Sequence, residues 1–248
     1  MEYLPFILVG EFSSSGESIR VKSITVGRIH HFHSGIELAP FLVFDRHKDT
    51  VDIREQFPLP LQDTLNICRQ LGIRHPQVKG ELSIVSTDLL IDISGGKQIA
   101  IAVKKAESLD NKRILEKLQV EKAYWEASGA SWFVFTERDI SETLKVNLKW
   151  LKPFLNVDTQ SAYDISDNDV ISLIKRIQQY PNNQAMRLCG ILDDEYQLEP
   201  GSHAEFLRFS VARGYLEAPI GKQFTKWKCA ELTDRSETIF KEEAGYAS

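Results

Sequence analysis

A run of alternating and apolar residues from Leu82 to Lys105, broken once by Ser94-Gly95-Gly96-Lys97, constrains this chain more than any other feature. Side chains alternate across a strand, and paired glycines supply the positive φ of a tight reversal, so 82–93 and 98–105 read as a β-hairpin. Asp110 can then cap a long helix to about Ser128, with Ile114, Leu115, Leu118, Tyr124 and Trp125 as its apolar contacts. Trp132–Thr136 reads as a buried strand. Hairpin, helix and strand in that order make an α/β core with a mixed sheet.

Upstream, short apolar stretches at 3–9 and 19–32, parted by Ser13-Ser14-Ser15-Gly16, read as two strands and a turn. Ser34 opens a helix to about Lys48 that carries Ile36, Leu38, Phe41, Leu42 and Phe44. Val51–Phe57 is extended, Leu61–Leu71 is a helix ended by Gly72, and 73–80 is a loop. Downstream, the polar, acidic stretch Pro153–Asp169 places a boundary between domains 1–160 and 161–248. In the second domain, helices are expected at Val170–Gln179, Gln184–Tyr196 and Ser202–Arg213. A wing hairpin from Gly214–Leu216 and Ile220–Lys222 would complete a winged-helix-like module.

No apolar run approaches the roughly 18 residues needed to span a bilayer, and MEYLPFILVGEF lacks the basic start and cleavage site of a secretory signal. Cys68, Cys189 and Cys229 match no zinc or redox spacing, so buried thiols in a reducing cytoplasm are expected. The net charge of −5 argues against a freestanding nonspecific DNA binder, because phosphate neutralisation supplies most of that affinity, but it does not exclude a nuclease. Local basic faces exist at Lys104, Lys105, Lys112, Arg113, Lys117 and Lys122, and at Lys145, Lys149 and Lys152. A DNA enzyme of this charge would depend on partner proteins for delivery.

In the hairpin, Asp88 shares a strand face with Leu90 and Asp92, and Lys104 shares one with Ala100 and Ala102. A carboxylate and a lysine can therefore meet on one side while the other side is core. That is the pattern of metal-dependent nucleases with a D…(E/D/Q)-x-K site, and equally of a structural ion pair. Glu37 fits a capping box with Ser34, its carboxylate bonding back to the N-terminal backbone. The His30-His31-Phe32-His33 cluster has no matching ligand set elsewhere, and His31 and His33 read as surface or DNA-facing groups.

Several longer stretches carry a resemblance: GRIHHFHSGIELAPFL (27–42), VDIREQFPLP (51–60), IRHPQVKG (73–80), STDLLIDI (86–93), the stretch 101–140 around LEKLQVEKAYW, and NLKWL (147–151). In this order they resemble the TnsA family of transposon endonucleases over most of residues 27–151; beyond that the likeness rests mainly on helical character and WKCAEL (227–232). The resemblance implies a restriction-endonuclease-like, PD-(D/E)xK first domain in which Glu37 and Asp88 bind Mg²⁺ or Mn²⁺ and Lys104 positions the attacking water. It implies cleavage of the 5′ ends of double-stranded transposon DNA, beside a DDE transposase (TnsB) and an AAA+ ATPase (TnsC) that docks on the C-terminal domain. One residue departs from the pattern: where the family has Gln-x-Lys, this chain has Ala102-Val103-Lys104, leaving the Val103 carbonyl as the backbone metal ligand. The alternative is a catalytically weak subunit that bridges transposase and ATPase. Ser202–Arg213 sits where a DNA-reading helix would lie, but it carries only Arg208 and Arg213 as strong cations, so docking to protein is an equal reading.

Overall fold

The computed structural model describes residues 3, 19–157 and 164–239, and divides into two compact units, Met1–Ile140 and Ser141–Ser248. This division falls earlier than the polar stretch at 153–169. The reason is helix α4 (Glu142–Leu155), whose buried Leu151, Phe154 and Leu155 belong to the second core. There Phe154 meets Phe209 edge-to-face, with ring centroids 5.8 Å apart.

In the first unit, β1 (Ile19–Lys22) and β2 (Ile29–Phe32) pair antiparallel, so the strand expected over 19–32 is itself a hairpin. The strand expected at 3–9 lies outside the described residues apart from Tyr3. Helix α1 (Gly35–Asp45) follows, then β3 (Thr50–Pro58) and α2 (Leu61–Leu71). Gly72, at φ 65°, closes α2 in the left-handed conformation glycine adopts without strain. The segment expected as loop holds half of a small hairpin, β4 (Gln77–Val78) with β5 (Glu81–Leu82), and β6 (Ser86–Ile93) starts only after it. Then come β7 (Lys97–Val103), α3 (Lys112–Ala127) and β8 (Ser131–Phe135).

The main sheet has the order β3-β6-β7-β8; β3, β6 and β7 run antiparallel and β7-β8 is parallel, which bears out the mixed sheet. β8 is an edge rather than a buried strand, and Phe133 is 55% exposed. The cap of α3 is Asn111, whose side chain accepts from the backbone N–H groups of Arg113 and Ile114, because Asp110 is taken up by the preceding 3₁₀ turn. Leu90 and Ala100 face each other across the strands and pack with Leu59, Val85, Ala130 and Trp125 of α3. Trp125 also donates its indole N–H to Thr87 Oγ1 at 2.7 Å, fixing α3 over the β6 residue that precedes Asp88.

The second unit holds α4, α5 (Asp167–Gln179), α6 (Ala185–Tyr196) and α7 (Ser202–Ala212). Asp193 of α6 satisfies the start of α7: its carboxylate accepts from the N–H groups of Gly201 and His203 and from the His203 ring. The expected wing is not formed as read. β9 (Leu216–Glu217) pairs with β10 (Thr233–Asp234), while the carbonyls of Ile220 and Lys222 accept from Asn147 Nδ2 and are thereby committed elsewhere. Nor is α7 a free reading helix. Arg208 donates to the Trp150 carbonyl, and Arg213 to that of Asn156.

Ala102 is fully buried and lies opposite Val134 of β8. A glutamine there enters a closed space, where overpacking costs ~1–3 kcal/mol. Ala102→Gln is therefore expected to lower the urea midpoint of unfolding; an unchanged midpoint would mean that the site has room for an amide.

Candidate active site

The paired residues of β6 and β7 run from Ile93–Lys97 to Leu89–Ile101. Beyond Leu89 the next N–H of β7 is taken by a side chain: Asp88 Oδ2 accepts from Val103 N at 2.6 Å. The same oxygen accepts from Lys104 Nζ at 2.8 Å, and that ammonium also donates to the Val103 carbonyl at 2.8 Å. The structure thus brings Asp88, Val103 and Lys104 together where the hairpin strands part. Burial works against the Lys104 charge, but Asp88 outweighs it, with Glu121 and Glu37 adding, so its pKa is raised above the ordinary value. At neutral pH this group is a hydrogen-bond donor, not a base.

Glu121 is the functional candidate that sequence reasoning missed. Ile114, Leu118, Glu121 and Trp125 fall at i, i+4, i+7 and i+11, so they share one face of α3. A carboxylate on an otherwise apolar stripe was the signal available. Glu121 is 4% exposed, and its Oε1 has no hydrogen-bond partner. Burial, and then the charge of Asp88, push its pKa up to about 7.

Only the Ser34 half of the expected capping box forms: Ser34 Oγ accepts from the Glu37 N–H at 3.4 Å, while the Glu37 carboxylate takes other donors than the Ser34 N–H. Ser34 Oγ donates to Oε1 at 2.8 Å, and the His33 N–H donates to Oε2 at 3.1 Å. Burial followed by the Asp88 charge also raises this carboxyl to about 7, so Glu37 is coupled to the site as well as bonded at the start of α1. Of the histidines, His30 is no surface group: it is fully buried, with Nδ1 2.6 Å from Glu55 Oε2.

Asp88, Lys104 and Glu121 line a cleft of about 360 Å³, together with Ser86 and Lys117. Glu37 is not on its wall. Among the described residues no three His, Cys, Asp or Glu side chains converge tightly enough to hold an ion by themselves. A cation here would draw on Asp88 and the Val103 carbonyl, with Glu37 and Glu121 supplying further charge. The donors fit a hard divalent ion: all are oxygens, the charges of Asp88, Glu121 and Glu37 act on one ammonium, and the buried Glu121 Oε1 has no hydrogen-bond partner.

Comparison with known proteins gives the family. Residues 47–137 match the family described as TnsA-like endonuclease N terminal, and residues 139–220 match TnsA endonuclease C terminal. The first match contains Asp88, Val103, Lys104 and Glu121 but begins after Glu37, and the two meet at the division between the compact units. The chain belongs to the TnsA family of transposon endonucleases. It is 36% identical over 249 residues to the transposon Tn7 transposition protein TnsA of Escherichia coli, an alignment that spans 100% of this chain and 90% of that one.

The raised carboxyls set a pH dependence. An acid whose folded pKa exceeds its unfolded value contributes stability that is full below about 4.5 and lost as pH rises through about 7. In EDTA, stability is expected to fall by on the order of 2 kcal/mol per group between about pH 5.5 and about pH 8, most of it by about pH 7, and the thermal midpoint falls with it. Mg²⁺ should offset the fall at the upper end, and Glu121→Gln should flatten it. A flat profile in EDTA would contradict the surplus of buried negative charge.

Proposed function

We propose that this chain is a divalent-metal-dependent endonuclease that cuts the 5′ ends of a transposon, freeing the non-transferred strand during cut-and-paste transposition. A TnsB-like DDE transposase would process the 3′ ends, and a TnsC-like AAA+ ATPase would dock on the C-terminal unit. In this reading the first unit is a restriction-endonuclease-like domain. The second is winged-helix-like, with the β9–β10 pair in place of the expected wing. The three cysteines, all buried and free, suit a reducing cytoplasm.

The observation that carries the proposal is Lys104 Nζ, held 2.8 Å from both Asp88 Oδ2 and the Val103 carbonyl. Mg²⁺ or Mn²⁺, when bound, would polarise the phosphodiester and lower the pKa of a bound water. Asp88, Glu37 and the Val103 carbonyl are the proposed ligands, with Glu121 closing the charge balance. Lys104, as an ammonium, orients the attacking water and stabilises charge on the phosphate oxygens. The DNA strand would pass along α3, where Arg113, Lys117 and Glu121 repeat every four residues, about 6 Å apart along the axis. A second cleft of about 590 Å³ extends this path between Arg74 and Arg113.

The bridging alternative leaned on Ala102. That residue is buried in the sheet, while Asp88, Val103 and Lys104 are assembled without it, so an impaired site is not required. Membrane association is not part of the proposal; among the described residues no helix is long and apolar enough to cross a membrane.

Asp88→Ala should abolish 5′ nicking of donor DNA in the presence of the partner transposase, leaving only 3′-strand nicks. Lys104→Ala should slow single-turnover cleavage at saturating Mg²⁺ by ~10²–10⁴-fold. Undiminished 5′ nicking by Asp88→Ala would remove that residue from the site.

A further inference from the structure

Among the described residues three non-glycines have positive φ: Gln56 at 48°, Lys79 at 52° and Gln197 at 54°. Two have a local reason. Lys79 turns the β4–β5 hairpin, and Gln197 ends α6 in a left-handed cap. Gln56 has none: it lies inside β3, one residue from each of the ladder pairs Glu55–Leu89 and Phe57–Thr87, and is 6% exposed. A buried non-glycine in this conformation within a strand is strained, and such strain persists where surrounding structure enforces it, often beside a functional group.

The register places Gln56 opposite Asp88, and the side chain goes there. Nε2 donates to Asp88 Oδ1 at 3.3 Å, while Oε1 accepts from Ser86 Oγ at 3.3 Å. The serine hydroxyl thus fixes the amide's orientation, keeping its N–H toward the carboxylate. Asp88 is then held from both sides, Oδ1 by Gln56 and Oδ2 by Val103 and Lys104. Residue 102 offers no amide in this chain; the amide that touches the carboxylate comes from β3.

We propose that Gln56 is a positioning residue for the reaction: its strained backbone delivers an amide that fixes the Asp88 carboxylate in the orientation that binds the divalent cation. This rests on Asp88 being a metal ligand. Groups that orient a metal ligand typically change affinity by 10–100-fold when removed. Glycine accepts positive φ without strain, so Gln56→Gly removes the amide and relieves the backbone together.

The test uses the full chain and Mn²⁺ as the probe, with Gln56→Gly, Gln56→Asn and Asp88→Asn beside the parent. Calorimetric titration gives the Mn²⁺ dissociation constant, and thermal unfolding in EDTA gives the stability of the metal-free fold. Gln56→Gly is expected to weaken Mn²⁺ binding at least tenfold while its unfolding temperature stays equal or rises. A purely structural role would move them the other way. Unchanged Mn²⁺ binding by Gln56→Gly would overturn the proposal. So would weakening that appears, in both the Gly and Asn variants, only with a lower unfolding temperature. Asp88→Asn separates the two readings: if it binds Mn²⁺ like the parent, the metal assignment of Asp88 fails, not the role of Gln56 alone.

Discussion

The Asp88 carboxylate stands in for a strand partner at the open end of the β6–β7 hairpin, taking the Val103 N–H and the Lys104 ammonium on one oxygen. Everything around it follows from keeping that arrangement in place. A regular ladder would have satisfied Val103 from the backbone and left Asp88 without this anchor. Because the carboxylate does so instead, the strands can part, the Val103 carbonyl turns to Lys104, and a cleft opens beside them. The pair is only partly buried, the Lys104 side chain 33% and the Asp88 side chain 15% exposed, so both groups stay accessible from the cleft.

The supporting core is arranged to the same end. Small Ala100 packs against Trp125 of α3, and Trp125, anchored on Thr87, sets the height of α3. With Trp125 fixed, helical geometry places Glu121 one turn away, over the same cleft as Asp88 and Lys104. Three carboxylates from α1, β6 and α3 thus act on one ammonium. Burial first, and then the Asp88 charge, raises the pKa values of Glu37 and Glu121, and a divalent cation bound here would relieve the second of these.

Much of this was legible in the sequence. The alternation about Gly95-Gly96 read as the hairpin, and strand parity put Asp88 and Lys104 on one side, as the 2.8 Å contact has them. The cap of α1 by Ser34 followed from its place before the helix, while Glu37 reaches the Ser34 hydroxyl and the His33 N–H rather than the Ser34 N–H. Other features depend on tertiary contacts that one-dimensional patterns do not carry. Ala102 shares Lys104's parity but is sealed beneath its neighbours, because β8 adds a strand outside β7. Glu121 was hidden inside an amphipathic helix, where one charged residue on the core stripe is easily passed over. The strain at Gln56 is a backbone angle inside a run of strand-forming residues. The second-unit boundary moved because the polar stretch after Leu155 marks a loop, whereas α4 before it is already part of the second core.

In the proposed reading, Asp88, the Val103 carbonyl, Glu37 and Glu121 serve a single divalent-cation site with Lys104 as its resident positive charge. Anomalous diffraction from crystals of the full chain soaked in Mn²⁺ tests this most directly. The account predicts a peak in coordinating contact with Asp88 and the Val103 carbonyl, with Lys104 beside it and Glu121 facing the same cleft. A peak elsewhere, or none at Asp88 with the metal in large excess, would contradict it.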